Sequence, residues 1–505
     1  MVEMLTIGVI GLYALGLLAI GNWASKKVHN TEDYILAGRS LGFWVFTILM
    51  VASVCSGMTL VGVSGFGFTS GWPGIWEQIF VPLAASFAII VFGVKLHYVG
   101  KRSGYMTVED YFAQRFESPR MLRGLSAVSG IVVSLIYLVG QYTAISIVLV
   151  WLFEIDYRLA LIISAVIITA YTVIGGMYAV SWTTLIQGSI LIIGVLLMAP
   201  PVILAAGGLT HINEVLGGID PNFLEPAFPS PAYAGYAFCT PEFLFSFGIL
   251  LIVGLACAPH VINNVLAARE EKFFKWSPLI AFAIYAVVML LVKFTGFAVR
   301  VLVEEGKLVL PNTMNAQDFA FMYGVEYATP NLFIWALFAV IVLSAVMSTT
   351  DRLMLTVGTM FSWDIYKNLF KPDATDREVV MVSRVAVVIA AVGTLLLALN
   401  PPDMLAWLIW MGIGVMLSTF AVPLLAGLYW RGATTQGAIA SMVIGLVSSG
   451  IFGYWHKFIA PLPMHFSIYS LLLALIAMVI VSLLTPKNDE EILDKTMTGW
   501  FIQPR

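Results

Sequence analysis

The chain has 505 residues, of which 60% are hydrophobic and only 11% are charged, and its mean hydropathy is +0.93. The net charge of −3 says nothing about nucleic-acid binding, and no basic block suggests it. The cysteines Cys55, Cys239 and Cys257 have no metal-binding spacing and give no indication of a disulfide framework.

Thirteen apolar segments run from one end of the chain to the other. They lie near residues 4–24, 43–68, 76–98, 124–152, 158–178, 183–206, 241–267, 277–302, 331–360, 379–399, 403–429, 434–455 and 464–485. The first is too long for a signal peptide and lacks a cleavage pattern. Because about 20 apolar residues cross a bilayer as a helix, the sequence predicts an all-α integral membrane protein with 13 transmembrane helices.

Lysine and arginine are unevenly distributed between alternate connections. With the N-terminus outside, twenty fall on inner segments and four on outer segments, and Lys293 and Arg352 lie within spans. Because basic loops stay on the cytoplasmic side, we predict an outside N-terminus, a cytoplasmic C-terminus and a place in the plasma (inner) membrane.

Two spans carry signals of a helix break. The first has Ser53-Val54-Cys55-Ser56-Gly57 followed by Gly62, Gly65 and Gly67, and the second has Gly254 and Ala258-Pro259-His260 followed by Asn263 and Asn264. Proline removes a backbone donor and frees carbonyls of the preceding turn. Breaks at matching places in two halves indicate an inverted-repeat transporter with its site at the breaks. The alternative is that these residues only kink or pack membrane helices.

A polar cluster interrupts the apolar segment 331–360. It reads Ser344-Ala345-Val346-Met347-Ser348-Thr349-Thr350-Asp351-Arg352. Ionisable residues at such depth usually face a cavity or an ion path, because unpaired polar groups find no water in hydrocarbon. The cluster therefore predicts a path for a transported ion.

Several strings resemble, in the right order, motifs of the sodium:solute symporter family. They are Ala37-Gly38-Arg39-Ser40-Leu41-Gly42, Thr107-Val108-Glu109-Asp110-Tyr111, Gly175-Gly176-Met177-Tyr178-Ala179-Val180-Ser181-Trp182-Thr183 with Gln187, and Gly427-Leu428-Tyr429-Trp430-Arg431. The resemblance implies a LeuT-like inverted repeat of 5+5 core helices, with one extra helix before and two after. It divides the single transport domain 1–505 into a first helix and loop (1–42), repeats 43–206 and 241–430, two additional helices (431–485) and a cytoplasmic tail (486–505).

The segment from Ala345 to Thr349 is similar to the sodium-binding AVMST segment of that family. The resemblance implies that Na⁺ binds the Ala345 carbonyl, the Ser348 and Thr349 hydroxyls, and the carbonyls of Ala52 and Cys55. Neutral oxygens of this kind suit a hard cation that must also leave. The alternative is that the hydroxyls bond to the backbone of their own helix and serve packing.

The chain departs from the family pattern beside this segment. Thr184 stands where many members that read W-T-D have a carboxylate, and Asp351 and Arg352 stand where many have small polar residues. We hypothesise that Arg352 takes the place of a second cation as a fixed charge, with Asp351 balancing it or lining the exit path. Alternatively, both side chains reach for the inner surface.

The substrate pocket is expected where the two breaks meet. Free N–H groups and positive helix ends there suit a carboxylate. The candidates are Ser53, Ser56, Gly57, Met58, Gln141, Ala258, Pro259, Asn263 and Asn264. Lys293 either senses a carboxylate or reaches the outer interface, and His260 either titrates or is a hydrogen-bonded structural residue.

Together these features predict sodium-coupled secondary active symport by alternating access. The solute is expected to be small and to bear a carboxylate, as do a monocarboxylate, pantothenate or an amino acid. Na⁺ is the coupling ion, and we expect no other cofactor, no nucleic acid and no obligatory protein partner. A proton-driven carrier of the same fold, using Asp351 or His260, is the alternative. A membrane-embedded enzyme is a remote one, since no HExxH motif is present.

Overall fold

The computed structural model describes residues 2–56, 58–227, 240–311, 316–399 and 405–497, and the regular elements of this part of the chain are helices. The helices of the first half are α1 (Val2–Ser25), α2 (Thr31–Leu36), α3 (Phe43–Val54), α4 (Val63–Ser70), α5 (Glu77–Phe87), α6 (Val94–Ser103), α7 (Val108–Arg115), α8 (Met121–Phe153), α9 (Tyr157–Ala205) and α10 (Gly208–Ile219). Those of the second half are α11 (Pro241–Ile249), α12 (Pro259–Leu266), α13 (Ser277–Glu304), α14 (Ala320–Ala328), α15 (Leu332–Thr359), α16 (Asp376–Ala398), α17 (Leu405–Met416), α18 (Val422–Tyr429), α19 (Thr435–Phe458), α20 (Phe466–Leu484) and α21 (Glu490–Met497).

Eleven helices in the described ranges are long and apolar enough to cross a membrane. A bent pair, Phe43–Val54 and Thr59–Ser70, whose axes differ by 63°, raises the number to twelve, and Tyr157–Ala170 is a shorter apolar helix. The chain is therefore an all-helical membrane protein with eleven or twelve candidate spans, compared with thirteen apolar segments in the sequence.

Helix α9 explains part of this difference. Its 49 residues would extend about 70 Å, which is more than twice the hydrocarbon thickness of a bilayer. Gly176 breaks it, with φ 53° and ψ −147°. A Cβ at this position would lie 2.5 Å from the ring of Tyr34 on α2, so the close approach requires glycine. The break therefore falls at Gly176, inside the predicted segment 158–178 and not between residues 178 and 183.

Both predicted breaks in the apolar spans are confirmed. Helix α3 ends at Val54, and Cys55 is extended with φ −78° and ψ 122°. In the second span, Ala258 is extended with φ −63° and ψ 131°, and α12 begins at Pro259. Proline is well suited to the first helical position because its missing N–H would have no partner there.

Backbone hydrogen bonds join the start of α3 to the end of α12. Leu41 N–H donates to the Ala267 carbonyl (3.2 Å), and Arg269 N–H donates to the Leu41 carbonyl (3.0 Å). The Arg39 guanidinium donates to the carbonyls of Leu266 (3.4 Å) and Tyr105 (2.6 Å). We call the side of the protein that holds these groups, together with α7 and the end of α1, the basic side.

Helix α15 lies at the centre of the helical assembly. It packs against α1, α8, α9 and α16, and it also contacts α3. Helices α19 and α20 pack on each other at the periphery. The polar cluster of α15 is therefore held inside the protein, facing the first break.

Candidate functional site

The predicted sodium ligands lie together where α15 passes the end of α3. The Thr349 hydroxyl donates across the helix interface to the Ala52 carbonyl (3.1 Å) and also contacts the Cys55 carbonyl. The Ser348 hydroxyl lies 3.0 Å from the Ala345 carbonyl. All five residues are at most 1% exposed. The Ala52 and Cys55 carbonyls are available because a helix end leaves its last C=O groups without intrahelical partners.

This group of atoms fits a monovalent cation. All its donors are neutral oxygens, contributed by two helices, and no carboxylate is among them. The packing alternative describes Ser348, which bonds to its own helix, but not Thr349, whose hydroxyl bonds to α3. We name these five residues the neutral cluster.

Arg352 lies one turn beyond the neutral cluster and is 2% exposed. Its guanidinium donates to Asn264 Oδ1 (2.5 Å) and to Thr184 Oγ1 (3.3 Å). Asp351 is fully buried on the same helix. The alternative, in which both side chains reach for the inner surface, does not match the structure, because α15 continues to Thr359 and both side chains are buried.

Asn264 links Arg352 to both breaks. Its amide nitrogen donates to Ser53 Oγ and to the His260 carbonyl, each at 2.9 Å. Ser53 also donates to the Leu49 carbonyl (2.6 Å). Arg352, Asn264 and Ser53 thus form one hydrogen-bonded chain that connects α15, α12 and α3.

A first cavity lies beside the first break. It is bounded by Val54, Ser56 and Thr59 at the break, and by the aromatic residues Tyr137, Tyr285 and Trp410. Its volume of about 20 Å³ is close to that of one water molecule. An organic solute requires several hundred Å³, so the lining must move apart to admit one.

A second cavity of similar size lies towards the basic side. His260, Asn263, Asn264 and Arg352 line it together with Ile35, Met177, Val180, Leu355, Thr356 and Thr359. Asn263 also accepts a hydrogen bond from Val108 N–H at the start of α7 (2.9 Å). The structure therefore does not bring the predicted substrate residues into one pocket.

The predicted substrate residues separate into three groups. Ser56 lines the first cavity, Asn263 and Asn264 line the second, and Ser53 bonds to Asn264. Gln141, Ala258 and Pro259 are buried but line neither cavity. Gly57 lies outside the described residues, and only the backbone of Met58 is described.

An ion pair between α5 and α13 was not anticipated. Lys293 Nζ lies 3.2 Å from Glu77 Oε2 and 4.1 Å from the ring centre of Phe66. Lys293 is 0% and Glu77 2% exposed, and Glu77 lines the first cavity. Lys293 therefore does not reach the outer interface. The only sequence signal was that Glu77 is an acidic residue at the start of the apolar segment 76–98, and this did not identify the partner 216 residues away.

His260 also differs from expectation. Neither ring nitrogen has a hydrogen-bond partner among the described residues, so it is not the hydrogen-bonded structural histidine that we anticipated. Its ring meets the edge of Tyr137 at 5.8 Å between centroids. His260 lines the second cavity, and Tyr137 lines the first.

The motif at Thr107–Tyr111 forms a charged cluster on the basic side. Arg123 Nη1 lies 2.5 Å from Asp110 Oδ1 and 3.2 Å from Asp364 Oδ1. The hydroxyl of Thr107 donates to Asp364 (2.9 Å). Glu109 is fully buried beside these ion pairs, and burial raises the pKa of its carboxyl group to about 7. In the part of the chain that the structure describes, no three His, Cys, Asp or Glu residues are placed to bind a metal.

Two broken helices that meet a polar segment of a third helix, inside an all-helical membrane protein, define a membrane carrier. Residues 34–445 match the family described as the sodium:solute symporter family. The chain belongs to the sodium:solute symporter family.

Curated relatives match the chain over nearly its whole length. The sodium/proline symporter of Haemophilus influenzae is 27% identical over 499 residues, covering 96% of this chain and 95% of the relative. The sodium/pantothenate symporter of Escherichia coli is 26% identical, covering 93% and 94%. The protein is thus a multi-pass membrane transporter and not an enzyme, and its family is one of sodium-coupled symporters.

Solved structures agree on the fold. A substrate-bound, outward-open Na⁺-coupled sialic acid symporter has a TM-score of 0.75 at 17% identity, covering 97% of this chain and 99% of that chain. A nucleobase-cation-symport-1 family transporter in a closed conformation has a TM-score of 0.56 at 14% identity, covering 93% and 99%. At these identities the likeness concerns the fold.

Proposed function

We propose that the protein uses an inward sodium gradient to carry a small carboxylate-bearing solute across the plasma membrane by alternating access. The observation that carries this proposal is the contact of Thr349 on α15 with the Ala52 and Cys55 carbonyls of α3. An ion bound there joins two helices that belong to different halves of the chain. Its binding therefore favours one arrangement of the halves, which is what coupling requires.

The proposed topology has 13 spans. In this count the broken helix 43–68 is one span, and the two parts of α9 are two spans. Five core helices in each of 43–206 and 241–430 form the inverted repeats, with residues 1–42 before them and 431–485 and the tail 486–505 after them. The N-terminus lies outside and the basic side is cytoplasmic, as the distribution of lysine and arginine predicts.

Arg352 is proposed as a fixed charge in place of a second coupling ion. It is held between Asn264 and Thr184, and Thr184 is the position at which many relatives that read W-T-D have a carboxylate. A guanidinium there supplies a positive charge that is never released. We therefore expect one Na⁺ per cycle, bound at the neutral cluster, with Asp351 near the exit path.

The carboxylate preference rests on the first cavity. The Lys293 ammonium is held behind Glu77 at the edge of this cavity. When the cavity expands, a solute carboxylate can share this ammonium, while Ser56, Thr59 and the tyrosines surround the rest of the solute. The distance by which the residues lining the first cavity move apart limits the length of the solute that can bind.

The test is uptake into proteoliposomes that contain the full chain. Short monocarboxylates, pantothenate, proline and sialic acid, which all bear a carboxylate, and glucose, which bears none, are supplied separately under an inward sodium gradient or an inward proton gradient. We expect uptake of a carboxylate-bearing solute with sodium that persists with a protonophore. Uptake driven only by the proton gradient would contradict sodium coupling, and sodium-driven uptake restricted to a solute without a carboxylate would contradict the assigned class.

A further inference from the structure

A third cavity lies at the periphery of the helical assembly, between α1 and the helices α8, α9 and α15. Its volume is about 270 Å³, more than ten times that of either central cavity. Side chains of α1 such as Ile10 and Ala14 form one wall, and Leu149 of α8 and Ile167 of α9 form the opposite wall. We name this cavity the α1 crevice.

The α1 crevice offers an occupant almost no polar contact. Among the described residues of its lining, only Tyr13 and Ser164 bear a hydroxyl. The Tyr13 hydroxyl accepts from Ser344 Oγ (2.9 Å) and Gln187 Nε2 (3.2 Å), and Ser164 donates to the Ala160 carbonyl (2.7 Å). Water needs two to four polar partners in a cavity. Several waters are therefore a poor filling for this space, and an apolar group is a good one.

The crevice borders the bilayer. Ile7 and Ile163 on its rim are 56% and 37% exposed, and the neighbouring Leu12 and Val166 are 73% and 63% exposed. These are apolar side chains on helices of a membrane protein, so the molecules next to them are lipids. Because an unfilled space forfeits dispersion contacts on every wall, a lipid chain that enters is favoured over a void.

The floor of the crevice is the helix that carries the neutral cluster. Leu343 and Met347 of α15 line it and are 5% and 4% exposed. Met347 directly precedes Ser348 in the chain. An occupant of the crevice thus touches the side of α15 that faces away from α3.

We propose that the α1 crevice binds one acyl chain of a membrane phospholipid, which packs α1 against α15. The chain enters between Ile7 and Ile163 and ends against Leu343 and Met347. The headgroup stays with the other lipids, since none of the described residues that line the crevice is charged. This inference needs the membrane location of the protein but not the identity of its solute.

The test uses the full chain in vesicles of phosphatidylethanolamine and phosphatidylglycerol. A trace of the phospholipid carries a photoactivatable diazirine near the middle of one acyl chain, and labelled positions are identified by peptide mass spectrometry. We expect label at Leu343 and Met347, which are nearly inaccessible except through the crevice, as well as at exposed Leu12. Val346, 0% exposed and outside the lining, is the internal control.

Gly11 allows the crevice to be filled by mutation. It lines the cavity, and a Cβ there would meet nothing within 4 Å, so the side chain of Gly11→Leu starts in open space beside the cavity. We expect this variant to lose label at Met347 several-fold while label at Leu12 stays unchanged. Gly16→Leu is the matched control, because Gly16 has the same open surroundings on the same helix but does not line the cavity.

Three results would overturn the proposal. Label at Leu343 and Met347 no higher than at Val346 means that no acyl chain enters, and this comparison needs only the wild-type protein. Label that Gly11→Leu leaves unchanged means that it arrives by another route. Label at Leu343 and Met347 from a diazirine-bearing free fatty acid, but not from the phospholipid, would identify a free fatty acid as the occupant.

Discussion

The first broken helix is flanked by two polar regions that hold charge in opposite ways. At the end of α3, the neutral cluster brings together carbonyl and hydroxyl oxygens with no ionised group. At the start of α5, Glu77 and Lys293 form a buried ion pair against the ring of Phe66. Neutral ligands let a cation arrive and leave, since no fixed counter-charge retains it. A buried pair is permanent, because removing one partner leaves an uncompensated charge.

The largest effect should follow from breaking the ion pair. Lys293→Met leaves Glu77 buried without its ammonium, and such changes cost about 3–5 kcal/mol of stability. We expect a clearly lower Tm in detergent and no measurable uptake.

The double variant Lys293→Met with Glu77→Met is the control for this change. Replacing both partners by apolar groups removes the uncompensated charge, so stability should return. Uptake of the carboxylate solute should remain absent. Recovery of uptake in the double variant would show that the pair serves packing only.

The neutral cluster should respond through sodium affinity. Thr349→Ala removes the hydroxyl that faces the Ala52 and Cys55 carbonyls, and a lost buried hydrogen-bonding partner costs about 1–3 kcal/mol. We therefore expect the sodium concentration for half-maximal uptake to rise by about tenfold.

Thr350→Ala is the matched control for the neutral cluster. Thr350 is buried on the same helix, but its hydroxyl donates to the Val346 carbonyl of that helix (2.8 Å). The sodium concentration for half-maximal uptake by Thr350→Ala should equal that of the wild type. If both variants shift the sodium concentration for half-maximal uptake equally, the cause is a less stable α15, and the proposal that Na⁺ binds at the neutral cluster is contradicted.

Replacing Arg352 should change the steepness of sodium activation more than the sodium concentration for half-maximal uptake. Arg352→Gln retains an amide donor for Asn264 but removes the fixed charge, so a second cation can enter. We expect steeper sodium activation of uptake, measured as a higher Hill coefficient. Unchanged sodium activation in a stable variant would argue against the fixed-charge role.

The smallest effect should come from replacing Glu109, and it should be a change in how the stability depends on pH. Its carboxyl pKa is raised by burial to about 7, so the folded protein binds a proton that the unfolded chain releases near pH 4.5. Stability should therefore fall as the pH rises from about 4.5 to 7 and change little above that. Glu109→Gln should remove this fall, which we expect to amount to a few degrees in Tm across pH 5 to 8.

The neighbouring charges serve as a check on this assignment. Asp110, Asp364 and Arg123 face Glu109 and stay in place in the Gln variant. A fall in Tm that persists in Glu109→Gln would place the titration on one of these groups or elsewhere.

The sequence predicted the local features well because each depends on neighbouring residues. Pro259 and the extended Ala258 mark a helix start wherever they occur in an apolar segment, and this break was found at the expected place. The polar cluster from Ser344 to Arg352 was noticed because such groups are costly in hydrocarbon. Within it, Ser348 and Thr349 were predicted as sodium ligands by the resemblance to the AVMST segment.

The missed features depend on contacts between distant segments. The direction of a side chain near a break depends on how the following half-helix is rotated, and this rotation sends Asn264 towards Arg352 and away from Ser56. The partner of Lys293 depends on how α5 and α13 pack. No local pattern contains either relation.

The two backbone hydrogen bonds between Leu41 and the segment after α12 have a kinetic consequence. They make the ends of the two broken helices a single mechanical unit, reinforced by Arg39. If the basic side opens, both ends must either travel together or give up two amide hydrogen bonds in one step. Opening should then follow a single rate constant, and a single-molecule distance record across α3 and α12 should show one class of dwell times.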